Sequence, residues 1–204
     1  MKKTKLVSIA TCLLAATQAF GVGMGYSSFP LMSDKKLIST EATGVTSDGG
    51  GVGAQVRYTY KMNQMLTLDA GLGLSGGQRD GRIFVSSDYE LFPDFMDQPR
   101  VSVKAQFENT KEFGERKNIF SVAPMVSKGF NFWGKEAFPY LSLPVGLSLN
   151  SDEKTYSSTL SANLGINGNI PVEGYQHLMG MAEVQVDLKD SYTAFVFGVS
   201  FPMN

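Results

Sequence analysis

Cysteine is all but absent from this chain. The single Cys12 lies within the first twenty residues, so the sequence downstream has no thiol and no disulfide framework. Histidine is as scarce, with His177 alone, which leaves little material for acid–base or nucleophilic chemistry. Basic clusters are missing too, and a formal charge of −1 argues against nucleic acid as a partner. Past residue 20, no uninterrupted apolar stretch approaches the ~18 residues that a spanning helix needs.

The amino terminus has a different character. Lys2, Lys3 and Lys5 precede an apolar run from Leu6 to Ala16 and the small-residue ending Thr17-Gln18-Ala19. That order is a secretory signal peptide, residues 1–19, with cleavage after Ala19 or a residue or two later. Its loss removes three positive charges, so the mature chain is mildly acidic. Acylation at Cys12 is the alternative, but Ile9-Ala10-Thr11 is a poor lipobox. The remainder, 20–204, reads as one domain.

What that domain has in quantity is glycine, 22 residues, and alternation of period two. Val52, Ala54, Val56, Tyr58 and Tyr60 alternate with Gln55, Arg57, Thr59 and Lys61; Leu66, Leu68, Ala70, Leu72 and Leu74 alternate with Thr67, Asp69, Gly71 and Gly73. The same pattern holds in Ile83–Leu91, Val101–Glu108, Leu141–Leu149, Leu160–Asn167, Ala182–Leu188 and Phe195–Phe201, and less clearly across 119–130, where Pro124 intervenes. Nine strands result. Closed single-chain barrels have even numbers, so Val22, Met24 and Tyr26 supply a tenth, with eight as the alternative count. Parity also restricts the turns. The loop about Met62-Asn63-Gln64 must hold an odd number of residues, three or five, which sets Arg57 opposite or diagonal to Asp69. The last hairpin admits the two-residue turn Lys189-Asp190.

Which set faces inward decides the class. A soluble β-domain would turn the apolar set in. Two features favour the reverse: strands near the ~9–11 residues of a tilted bilayer crossing, and aromatics gathered toward one rim, at Tyr58, Tyr60, Tyr89, Phe92, Phe95, Phe130, Phe132, Trp133, Phe138 and Tyr140. The last strand, "YTAFVFGVSF", is apolar at every second position back from Phe201. It resembles the carboxy-terminal signature of Gram-negative outer-membrane β-barrels, although Pro202-Met203-Asn204 extends beyond the expected end. The mature chain is similar in layout to the small barrels of that superfamily. The resemblance implies an all-β, closed antiparallel up-and-down transmembrane barrel in the bacterial outer membrane, inserted by the barrel-assembly machinery and surrounded by lipid and lipopolysaccharide.

With lipid outside, the polar set lines the lumen. Arg57, Lys61 and Lys104 there face Asp69, Asp88, Glu90, Glu108, Glu183 and Asp187, an excess of carboxylates. One reading is a packed network that seals a narrow barrel; another is a narrow, cation-preferring diffusion path. A third, a lipid- or peptide-acting enzyme, would have to rest on His177 beside Glu173. "GLGLSG", Gly71 to Gly76, satisfies a dinucleotide pattern, but no helix opens after it to receive a pyrophosphate. Such lumenal glycines make room for bulky charged neighbours or allow bending. Loops 32–50, 76–81, 110–117, 150–157 and 189–190 fall on the outer side, against turns such as 93–99 and 131–137 on the periplasmic side. The expectation is a monomeric, non-enzymatic barrel without cofactor or metal, serving a structural or surface-interaction role.

Overall fold

The computed structural model describes residues 31, 33–47, 50–76, 78–132 and 134–203. The signal peptide, Cys12 and the expected strand at Val22–Tyr26 therefore lie outside the described residues. Within them run β1 (Lys36–Val45), β2 (Gly51–Lys61), β3 (Leu66–Ser75), β4 (Arg79–Phe92), β5 (Arg100–Glu112), β6 (Glu115–Ser127), β7 (Phe130–Phe132), β8 (Lys135–Ser142), β9 (Val145–Asn150), β10 (Thr155–Asn169), β11 (Met179–Lys189) and β12 (Ala194–Met203).

These segments make ten walls. β7 keeps the register of β6 against β8, and β8 and β9 share one register against β6 and β10, so each pair is a single interrupted wall. Every neighbour is antiparallel, and β12 pairs with β1 while β10 pairs with β11, closing the sheet into a ten-stranded barrel. Traced round the ring, the register returns to β1 displaced by about twelve residues, which corresponds to strands tilted about 40° from the barrel axis.

The tenth wall is β1, inside the segment expected to be an outer loop. Its sequence, KLISTEATGV, hides the alternation. The buried set is Leu37, Ser39, Glu41, Thr43 and Val45, and the outward set contains Thr40, Ala42 and Gly44, so neither face is clearly apolar. Pro124 sits within β6, where 119–130 was ambiguous. The ladder yields there: Leu143 N donates to Pro124 O at 3.1 Å and Ser161 N to Pro144 O at 3.1 Å, but neither proline can return the bond. That missing reciprocity separates β8 from β9.

The orientation of the alternation is plain. Leu72 is 61% and Leu164 62% exposed on the outside, whereas Lys104 and Asn163 are 0% exposed within. The barrel is a fold turned inside out relative to a soluble sandwich, with an apolar exterior and a polar filling. Lumenal glycines make room for rings and for charge alike: a Cβ on Gly71 would strike the Phe84 ring, one on Gly165 the Tyr140 ring, and one on Gly198 the Glu41 side chain at 2.8 Å.

We call the end where β1 begins and β12 finishes basal, and the other apical. Apical connections are short, the tightest being Phe113-Gly114, both at positive φ (54° and 83°). At the basal end, Lys128 Nζ meets Asp94 Oδ1 at 2.5 Å and the carbonyls of Met96 and Gln98, while Gly129 N donates to Asp94 Oδ2 at 2.6 Å. Partial desolvation opposes ionisation of Asp94, but hydrogen bonds from Lys128 and Gly129 outweigh it and hold the carboxyl below its ordinary range. The loop Pro93–Pro99 is thereby clasped to the next wall.

Gly165→Val should push Tyr140 from its place and cost about 1–3 kcal/mol by overpacking. Gly180→Ala, whose added Cβ meets Ile170 at an ordinary 3.5 Å, should be close to neutral. Heat-modified gel migration of the two variants checks the difference, and equal midpoints would contradict the lumenal placement of Tyr140.

Candidate functional site

The candidate site is the lumen itself, and β4 gives its depth scale, since its buried positions run from Arg79 at the apical end through Arg82, Phe84 and Ser86 to Asp88 near the basal end. At the top, Arg79 Nε lies 3.1 Å from Glu112 Oε1, Lys117 reaches Glu112 at 3.4 Å, and the Arg79 guanidinium stacks 4.5 Å from the Tyr192 ring. One step down, Arg82 grips Glu108 through Nε at 3.0 Å and Nη2 at 3.1 Å, and reaches Gln55 Oε1 at 3.4 Å. Nη2 makes the hydrogen bond, while Nε meets the carboxylate as an ion pair only.

At mid-depth, Arg82 and Arg57 lie 4.8 and 5.4 Å from the Phe84 ring. Arg57 pairs with Glu41 at 3.0 Å, and Gln55 donates to the same carboxylate. Glu183 takes the Tyr140 hydroxyl and, at 3.1 Å, Asn163 Nδ2. Below this, Asp69 accepts from Thr59 at 2.6 Å, Ser86 at 3.0 Å and Lys104 at 2.7 Å. At the basal end Arg100 joins Asp88 at 2.7 Å and Glu90 at 2.6 Å, with Lys61 4.0 Å from Glu90. The result is a column of ion pairs from mouth to mouth.

Arg57, Asp69, Asp88, Lys104, Glu108 and Glu183 are all buried in this column, and half-buried Glu90 closes its lower end. Their partners differ from those expected. Arg57 is diagonal to Asp69 across a three-residue turn, since Met62 N bonds Leu66 O, yet it pairs with Glu41 on β1 while Asp69 pairs with Lys104. Asp187 stands apart. It is exposed at the apical mouth, where its Oδ1 accepts from Ser191 N at 3.0 Å, because the β11–β12 ladder stops at Gln185↔Ala194 rather than closing on a two-residue turn.

The expected surplus of carboxylates also disappears. Among the described residues the buried set holds Arg57, Lys61, Arg79, Arg82, Arg100 and Lys104 against Glu41, Asp69, Asp88, Glu108, Glu112 and Glu183, six of each sign. Arg79, Arg82 and Arg100 were overlooked because each lies just outside the strand bounds that alternation suggested, and Glu41 because β1 was not recognised. Of the aromatics, Tyr58, Tyr89, Phe92, Phe95, Phe130 and Phe132 do face outward at the basal rim. Tyr140 is buried in the lumen and Phe138 half-buried, while Trp133 lies outside the described residues.

A cavity of about 440 Å³ opens at the apical mouth. Its floor is closed by buried Arg79, Tyr192 and Ile119. His177 is exposed in the basal loop 170–178, and no group of three or more metal-ligating side chains forms among the described residues.

No family model matches this sequence, and no curated protein does. Among solved structures, the chain is similar to a de novo designed transmembrane β-barrel, at 14% identity over 86% of this chain and 100% of that one, with a TM-score of 0.42. It is similar also to the N-terminal β-barrel domain of Pseudomonas aeruginosa OprF, at 15% identity over 84% and 98%, TM-score 0.31. A third is Ail, the attachment invasion locus protein of Yersinia pestis, at 10% identity over 83% and 97%, TM-score 0.25.

Arg57→Ala should leave Glu41 buried without its guanidinium and cost about 3–5 kcal/mol. The double variant Arg57→Met with Glu41→Gln should recover most of that loss. Urea unfolding followed by gel migration measures both, and a double variant no better than the single would contradict the pairing.

Proposed function

We propose that this chain is a structural barrel of the bacterial outer membrane whose lumen is sealed by its own ion pairs. One observation carries the reading: Ser102 near the basal end, Lys104 and Asn163 at mid-depth and Gln185 toward the apical end are all 0% exposed, so water reaches them from neither mouth. Charge balance supports it, since six buried cations against six buried carboxylates leave no fixed excess to draw an ion through. The barrel wall supports the location. A ring of paired strands with an apolar exterior is the β-solution to a bilayer, and the basal aromatics suit its interface.

Short apical hairpins favour a structural role over surface recognition, because they offer a partner little area. Lipopolysaccharide and lipid are then neighbours rather than ligands of those hairpins, and the barrel is monomeric. Its insertion depends on the barrel-assembly machinery. No enzymatic role is assigned: among the described residues, exposed His177 makes no hydrogen bond or ion pair with a nucleophile or base. The apical cavity favours a second reading, a narrow pore whose vestibule is that cavity and whose constriction lies at Arg79 and Tyr192.

Planar-bilayer recording in potassium chloride separates the two. Folded, inserted protein should give no discrete current steps. Steps that change when Asp69→Asn or Glu108→Gln is introduced would make the lumen a conducting path and overturn the sealed reading.

A further inference from the structure

The outward face is not uniformly covered. Where β8, β10 and β11 adjoin, small residues coincide across the register: Ala137 opposes Gly168 and Gly168 opposes Gly180, with small Ala182 next above, opposite Ile166. The consequence is a trough in the apolar wall. Its basal part, about 460 Å³, and its continuation, about 330 Å³, share Ile166 and Ala182, so they form one groove rising from the basal rim toward mid-wall. From the Gly168–Gly180 pair to the Leu164–Val184 pair is four residues, on the order of 13 Å along the strand. Phe132 and Ile170 flank the lower end and Phe197 the upper.

We propose that this groove is a binding site for one glycerophospholipid, with an acyl chain laid in the trough and the phosphate at Lys135. This rests on the reading of the exterior as lipid-facing. Three features select the occupant. The trough lies on the outward apolar face, where the surroundings are hydrocarbon, and it spans only three adjoining strands, on the order of 10 Å across, which suits the chain of one glycerophospholipid better than a many-chained lipid A. Lys135 lines the open basal end, where its Nζ is held by Gln176 Oε1 at 3.0 Å, placing a cation at headgroup depth beside the aromatic rim. Gly168 cannot carry a side chain, because a Cβ there would meet Glu136 O at 2.7 Å, whereas Gly180 can, so of the two glycines Gly180 offers a way to fill the groove without disturbing the wall.

Native mass spectrometry of the full chain, purified in mild detergent and titrated with phosphatidylethanolamine or phosphatidylglycerol, tests the site. The chain should retain one phospholipid, Gly180→Leu should lower retention at least tenfold, Lys135→Ala several-fold, and Leu72→Phe on β3, away from the groove, should leave it unchanged. Extraction by detergent but not by salt checks the lipid-facing exterior separately, and gel migration checks folding. Equal retention in Gly180→Leu and the parent would overturn the site, as would a chain dimer that Gly180→Leu disperses, since the occupant would then be a second copy.

Discussion

A backbone without access to water must pair every N–H and C=O within itself, and in this chain that pairing is achieved by closing a ring of strands. Alternation follows from closure: once the sheet is a tube, each strand has one face outside and one within. The two prolines that interrupt the ladder are tolerated because their carbonyls still accept from Leu143 and Ser161. Closure also sets the problem of the interior, which is narrow, excludes water at mid-depth and is lined by ionisable side chains.

Ion pairing resolves that problem. A lone buried charge costs several kcal/mol, so each carboxylate in the column meets a cation or a cluster of donors, and Arg57, Arg79 and Arg82 are held by aromatic rings as well as by charge. Gly71 and Gly165 belong to the same arrangement, since side chains at either position would leave Phe84 and Tyr140 no place among the charges. The seal is therefore a property of the whole filling. On the proposed reading, a barrel so filled serves rigidity rather than transport.

Much of this was legible in the residues. β3 could be read to the residue and β2 to within one, Gly51 rather than Val52 being its start, and the odd turn between them followed from parity, because strong apolar contrast makes register visible. The inward placement of Asp69, Lys104 and Glu108 came with it. Where contrast fades, so does legibility: β1 presents threonine, alanine and glycine to the outside, and its strand was taken for a loop, hiding Glu41 and with it the partner of Arg57. Arg79, Arg82 and Arg100 sit where strands run past their apolar sections into the rims. Pairing itself is a property of tilt and side-chain reach across several strands, so neither the Asp69–Lys104 contact nor the Tyr140–Glu183 contact has a sequence signal. Asp187 obeyed the alternation but sits where the ladder has already opened.

The central claim is the direction of the two faces. Because the chain beyond Cys12 has no cysteine, single spin labels can be placed from Thr67 to Leu74 and their collision with oxygen and with a water-soluble nickel complex measured in lipid vesicles. Period-two behaviour is predicted, with Leu68, Ala70, Leu72 and Leu74 exposed to oxygen and shielded from nickel, and Thr67, Asp69 and Gly73 shielded from both. Nickel access at the leucines would contradict a lipid-facing exterior, and nickel access at Asp69 would contradict a sealed lumen.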